Sequence, residues 1–278
     1  MSRAIAALHG RFGRACIYEM NRPLATHAHR EGHLIFYLSG DMSRVIVSRQ
    51  VVEPDAFTAA AISPLQPHNI SFYNSTPQGS NLLVLYINPV WFLEIGKGTG
   101  GTLRFGQASI SVNSRIEKLV SRVSNMLTEG DQFDLFNNYL HELTQACYDQ
   151  SWANSTYCEI DKRMFAWDKV CDHRVQRSIN LMKQRVSDEW VLDDIASEVG
   201  LSRTHFYKLF RENIGITPNV YLNTLRMERA LDRLVTTDEP VTSIGLDLGF
   251  ASQASFTRFF GANVGIPPTD YRRVVNVS

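Results

Sequence analysis

The chain of 278 residues is short of several features that would assign it quickly. It has four cysteines, Cys16, Cys147, Cys158 and Cys171, far apart and without a C-x-x-C pair. That excludes a zinc ribbon, a redox dithiol and a disulfide framework, and the four read as reduced, partly buried thiols. No apolar run approaches the roughly 18 residues of a spanning helix, and Arg11 and Arg14 interrupt the stretch where a signal peptide would be apolar. A cytoplasmic protein without a membrane partner is therefore expected. Excess charge is also missing: Lys+Arg and Asp+Glu are 28 each, so any contact with nucleic acid must come from local placement. No G-x-x-x-x-G-K-[ST] phosphate loop is present.

What the chain does have is apolar bulk. With 44% hydrophobic and 10% aromatic residues it can build the two cores that its length suggests. From about residue 15 to 112, short β-branched and aromatic runs are broken by turn residues. Leu34 to Leu38 ends at Ser39-Gly40-Asp41, Val45 to Val47 is a second run, and Leu82 to Ile87 ends at Asn88-Pro89. These read as strands of an antiparallel barrel or sandwich. From 113 the period becomes helical. Ile116, Leu119, Val120, Val123 and Leu127 form one stripe, Glu129-Gly130-Asp131 breaks it, and Leu135, Phe136, Tyr139, Leu140 and Leu143 resume it. This predicts a helical hairpin. The polar stretch Ser151-Trp152-Ala153-Asn154-Ser155-Thr156 then marks a linker.

The last hundred residues contain an internal repeat. Leu192, Ile195, Ala196, Val199 and Gly200-Leu201 align with Val241, Ile244, Gly245, Leu248 and Gly249-Phe250, an offset of 49 residues. Gly215-Ile216-Thr217-Pro218 and Tyr221 align with Gly265-Ile266-Pro267-Pro268 and Tyr271 at an offset of 50. Ile195 and Val199 stand one helical turn apart and face a core. Ala196 and Gly245 are small enough for a following helix to approach, and Gly200 and Gly249 sit where the chain must reverse with positive φ. Phe206 and Phe210, matched by Phe256 and Phe260, line the inner face of the next helix. Each unit is a helix-turn-helix. With the phenylalanines inward, Arg203, Thr204, Tyr207, Lys208 and Arg211 point outward in the first unit, and Ser252, Gln253, Ser255 and Arg258 in the second. Such side chains suit base edges and phosphates. From Asp172 to Ser278 there are 13 basic and 13 acidic residues, so the basic face is local.

This double unit resembles the DNA-binding domain of the AraC/XylS family of bacterial transcription regulators. The resemblance rests on Ile195-Ala196, Gly200-Leu201-Ser202-Arg203, Phe206, Phe210-Arg211, Gly215-Ile216-Thr217-Pro218, Tyr221 and Arg226, and above all on Gly249-Phe250, Ser255-Phe256-Thr257-Arg258-Phe259-Phe260 and Gly265-Ile266-Pro267-Pro268-Thr269-Asp270-Tyr271-Arg272. It implies two subdomains joined by a long helix, here about Pro218 to Val235, presenting their recognition helices to successive major grooves of double-stranded DNA. Where the family often has a bulky residue early in the first recognition helix, this chain has Thr204, which implies an altered base preference. It also implies RNA polymerase as a partner, and a homodimer for which Leu119, Val123, Phe136, Leu140 and Leu143 are candidate contacts.

In the N-terminal half, His27-Ala28-His29-Arg30-Glu31-Gly32-His33 precedes Gly40, and His68 follows Ser63-Pro64-Leu65-Gln66-Pro67. This resembles the cupin pattern H-x-H-x3-E-x6-G followed by a later histidine, with His33 in place of the glutamate and without the usual glycine before the last histidine. Such a barrel implies an effector pocket, with His27, His29, His33, Tyr37 and His68 as candidate effector-binding residues and Phe36 and Phe72 as pocket or core aromatics. The four histidines could hold Zn²⁺, Ni²⁺ or Fe²⁺, but a polar pocket without metal or cofactor is the preferred reading.

The expected fold class is α+β: a cupin-like antiparallel β-barrel (1–112), a helical hairpin and linker (113–170), and an all-α domain with two helix-turn-helix motifs (171–278). The expected function is a non-enzymatic, effector-controlled DNA-binding regulator, most simply an activator. The competing reading is a metal-dependent cupin enzyme fused to a DNA-binding tail, and a third is a regulator whose barrel is filled by its own side chains.

Overall fold

The computed structural model describes residues 2–73, 79–96, 104–130, 133–153, 172–186 and 192–277. Eight strands open the chain: β1 Arg3–Gly10, β2 Gly13–Met20, β3 Leu24–His27, β4 Gly32–Gly40, β5 Ser43–Val47, β6 Gln50–Val52, β7 Thr58–Ile62 and β8 His68–Phe72. Then follow β9 Ser80–Ile87, helix α1 Pro89–Gly96, β10 Ser109–Ser111, and the hairpin helices α2 Ser114–Glu129 and α3 Phe133–Ala153. The C-terminal part comprises α4 His173–Gln184, α5 Leu192–Glu198, α6 Arg203–Ile214, α7 Pro218–Thr236, α8 Val241–Asp247, α9 Gln253–Val264, α10 Pro268–Val274 and β11 Val275–Val277. Among the described residues no helix is long and apolar enough to cross a membrane.

The strands form two sheets, ordered β10-β7-β4-β9-β2-β1-β11 and β3-β8-β5-β6. All pairings are antiparallel except β11 with β1. Alternation along β4 sorts its side chains between two cores. Leu34 and Phe36 join Ile116, Val123, Phe136, Leu140 and Leu143 on the hairpin side, whereas Ile35 faces inward with Val45, Ile62 and Ile70.

Three local expectations are corrected. Strands begin at Arg3 and not near residue 15; the alanine-rich β1 has Ile5 as its one β-branched residue, too weak a mark of a strand in sequence. Asn88-Pro89 ends β9 as expected and also starts a helix: the Asn88 side chain accepts from Val90 N, and proline suits a first helical turn. Residues 151–153 of the supposed linker are the last of α3, with Ser151 buried and capping its own helix end on the Tyr148 carbonyl; the rest of that stretch lies outside the described residues, as do Cys158 and Cys171. Leu119, Val123, Phe136, Leu140 and Leu143, expected at a dimer interface, are all buried against the chain's own sheet. The stripe reflects packing on the barrel, which a hydrophobic period alone cannot tell from a subunit contact.

The inner barrel core does not stop at the barrel. Met20, Leu24 and Ala28 belong to the same cluster as Leu222, Phe256, Phe260, Ile266 and Tyr271 of the helical part.

Candidate functional site

The two helix-turn-helix units form as their sequence repeat requires. In the first, α5 leads through Gly200, φ 73°, to α6, whose end is capped by the Ser202 side chain accepting from His205 N. In the second, α8 leads through Gly249, φ 80°, to α9. Both turns use the left-handed region that glycine enters without steric cost. Gly245 serves a different need. A Cβ there would stand 2.8 Å from the Phe256 Cβ, so α8 and α9 touch only because position 245 has no side chain. Phe206, Phe210, Phe256 and Phe260 are fully buried, and α7 joins the two units.

Subtracting the buried face leaves Arg203, Thr204, Lys208 and Arg211 exposed and Tyr207 half-buried on α6, and Ser252, Gln253 and Arg258 exposed with Ser255 half-buried on or at the start of α9. Their roles in the free chain differ. Arg203 Nη1 donates to Asp193 Oδ2 at 3.0 Å, and Lys208 lies 4.0 Å from Glu212. Gln253 accepts from the Thr242 hydroxyl at 2.8 Å. Ser252 and Ser255 form a reciprocal capping box at the start of α9. Their hydroxyls close the helix end, a use that the pattern Ser-x-x-Ser does not announce because the fourth position of a capping box is usually Glu or Gln.

The N-terminal histidines also converge. His27 ends β3 and pairs in register with His68, the first residue of β8, while His29 lies in the loop after β3 and His33 in β4. Ring centroids are 4.3 Å apart for His27 and His68, 5.1 Å for His29 and His68, 4.6 Å for His29 and His33, and 4.5 Å for His33 and His68. Burial pushes all four below the usual imidazole range, with neighbouring imidazoles adding to this for His29, His33 and His68, so the rings are neutral. Tyr37 does not join them. It sits four residues, roughly 13 Å, along β4 from His33, and its hydroxyl donates to the Gly40 carbonyl at 2.8 Å.

The loop carrying His29 is also where the barrel meets the helical domain, a contact that sequence reasoning did not find. Thr224 of α7 donates to the Ala28 carbonyl at 2.8 Å, and Arg30 pairs with Glu228 of α7 at 3.1 Å. Glu31 is held by Arg14 through two contacts, 2.5 and 3.1 Å, and the Arg14 guanidinium lies over the Tyr86 ring at 3.8 Å. Arg14 is nearly fully buried, so this fork is what makes its charge tolerable inside the fold. Further round the seam, His9 of β1 meets the Tyr271 hydroxyl at 2.6 Å.

A family model described as a helix-turn-helix domain matches residues 195–274, a span that takes in both units and the helix between them. That span is an AraC-type helix-turn-helix domain, and the relatives that the chain matches are named as transcription regulators. Among these relatives is the probable transcriptional regulator LumQ of Photobacterium leiognathi, 25% identical over 171 residues that cover 61% of this chain and 64% of LumQ. Another is the lactose operon transcription activator of Staphylococcus xylosus, 22% identical over 62% of this chain and 59% of its own length. Both matches thus span less than two thirds of the relative. In fold, the chain is similar to apo ToxT from Vibrio cholerae, with TM-score 0.61, 12% identity, and 94% of this chain and 97% of ToxT covered. A ToxT structure with a bound unsaturated fatty acid gives TM-score 0.55 at 14% identity, covering 99% of this chain and 95% of that one.

Proposed function

We propose that the chain is a sequence-specific regulator of transcription that binds double-stranded DNA through α6 and α9 and is controlled by an effector bound in the N-terminal barrel. The observation that carries this reading is the tandem of helix-turn-helix units, each with a buried phenylalanine pair and an exposed polar face, held at fixed separation by α7. A single such unit is a common structural motif; two on one rigid connector suit two successive major grooves, about 34 Å apart. Arg203, Thr204, Tyr207, Lys208 and Arg211 then face one groove, and Gln253 and Arg258 the next. The regulator names of the relatives support a non-enzymatic role, and a cytoplasmic location is consistent with binding DNA.

Effector control is supported by the seam. The histidine loop and the connector helix are joined by Thr224 and Arg30, so a ligand that moves residues 27–31 changes what α7 rests on. The working division into barrel 1–112, hairpin and linker 113–170 and DNA-binding domain 171–278 belongs to this proposal, as do the homodimer and the contact with RNA polymerase. Selection of duplexes from a random pool by the purified full chain tests it. A recovered site with two elements about one helical turn apart is the expected result, and recovery of no preferred sequence at moderate salt overturns it.

A further inference from the structure

The barrel histidines are arranged more specifically than a polar pocket requires. The Nδ1 atoms of His27, His29 and His68 lie 2.8, 2.9 and 2.8 Å from the backbone carbonyls of Ala25, Glu31 and Gln66. A carbonyl only accepts, so each Nδ1 carries the proton, and in a neutral ring the lone pair is then on Nε2. The Nε2 atoms of His29 and His68 are buried without a hydrogen-bond partner, as is Nδ1 of His33. Orphaned buried polar atoms of this kind cost on the order of 1–3 kcal/mol each unless something occupies the space between them.

The three rings bring one ligand nitrogen each to within 4.8 Å of the others. Nitrogens bound tetrahedrally at about 2.0–2.1 Å stand roughly 3.4 Å apart, so seating an ion needs only a small inward movement. Imidazoles whose far nitrogen is fixed by a backbone carbonyl are the usual orientation of metal-bound histidine. The nearest carboxylate, Glu31, is engaged by Arg14, which leaves an all-nitrogen donor set that suits zinc-class ions and not calcium or magnesium. His27 is half-buried at the rim, which leaves a path from solvent, and His33 or a water supplies the fourth position.

We propose that His27, His29 and His68 bind one divalent transition-metal ion of the zinc class, and that the ion fixes the 28–31 loop against α7. This reverses the preference for a metal-free pocket and, resting on the regulator reading above, names the class of its effector. The coupling is short: His29 is flanked by Ala28, whose carbonyl accepts from Thr224, and by Arg30, which pairs with Glu228. Drawing the His29 ring toward His27 and His68 pulls directly on both contacts.

The test uses the full chain purified without an affinity tag and stripped with chelator. Titration with Co²⁺ alone is expected to give a visible absorption band of four-coordinate type saturating at one equivalent, displaced by Zn²⁺. His27→Gln, at the rim, is expected to fold normally and lose affinity by about a hundredfold or more; His68→Gln gives a second check in case the first is rescued by water. Hydrogen exchange then reads the coupling: Zn²⁺ is expected to slow exchange across 24–31 and across α7 in the parent chain, less across α7 in Thr224→Val, and across 24–31 alone when Glu228→Gln is added. No cobalt band, or a band unchanged in both histidine variants, overturns the site. A normal band with exchange in α7 unaffected by Zn²⁺ overturns the coupling. Neither readout involves DNA, so loss of the regulator reading would show separately, as failure of duplex selection.

Discussion

The Thr224 hydroxyl, on the helix that joins the two helix-turn-helix units, donates to the carbonyl of Ala28 in the histidine loop of the barrel, 196 residues away in sequence. It is a side chain of one domain closing a backbone acceptor of the other, and the same oxygen lies 3.0 Å from the Val220 carbonyl of its own helix. Thr224→Val keeps the shape and removes the donor. We expect a loss of about 1 kcal/mol in thermal or denaturant unfolding, against a Thr269→Val control at an exposed position, and an unchanged midpoint would show that the bond to Ala28 adds nothing net to stability.

Two glycines of the reading units should fail for different reasons. Gly245→Ala places a methyl 2.8 Å from the Phe256 Cβ in a helix whose backbone is ordinary, and overpacking should cost about 1–3 kcal/mol. At Gly200 nothing lies within 4 Å of an added Cβ, and only the positive φ resists, so Gly200→Ala should cost about 1–2 kcal/mol. Gly200→Val, with a β-branched side chain, should cost more than Gly200→Ala. Circular dichroism melts rank the three, and a Gly245→Ala chain as stable as the parent would show that α8 and α9 can separate.

Arg203 and Arg258 are exposed near the starts of α6 and α9. Replacing either by Ala should weaken binding to the selected duplex by about 1–3 kcal/mol, unequally among base variants if the side chain reads a base and equally if it touches phosphate. In the free chain Arg203 is held by Asp193, an exposed pair of small worth. Asp193→Asn should therefore leave stability almost unchanged while tightening duplex binding, measured by fluorescence anisotropy at fixed salt.

The seam should also respond to acid. Burial, with help from Arg14, pushes His9 down to about 3 from the ordinary 6.5. The unfolded chain therefore takes up a proton near pH 6.5 that the folded chain refuses, so this stabilisation is complete above pH 6.5 and is lost as pH falls toward 3. Melting temperature should drop between pH 7.5 and 5. The barrel imidazoles add to the slope, so His9→Gln should flatten it only in part; an unaltered slope would remove His9 from the account.

The legible parts of the sequence were those in which one residue type has one physical use. Gly200 and Gly249 at the turns, the phenylalanine pairs one helical turn apart, and the small residue at 245 all follow from sterics and period, and together they specify both units and the connector. The histidine cluster was visible as spacing, because residues 27, 29 and 68 are few and polar in an apolar segment. Its meaning was not, since which nitrogen is orphaned depends on carbonyls at Ala25, Glu31 and Gln66 that no motif encodes. The hairpin stripe misled in the opposite sense: an apolar face states that something is covered, and only the fold shows that Phe136 and Leu140 cover Leu34 and Phe36. The interdomain contacts at Thr224 and Glu228 had no signal at all, each being an ordinary polar residue on an amphipathic helix.

The barrel does not hold the two reading units alike. Met20 and Leu24 press on the turn at Gly265, where an added Cβ would come within 2.8 Å of the Met20 Cε, and α9 and α10 pack on β3 and β1. The α6 unit has no comparable backing from the sheets among the described residues. The second unit is therefore fastened to the barrel directly and the first only by way of α7, so a displacement of the barrel would reach the two units unequally.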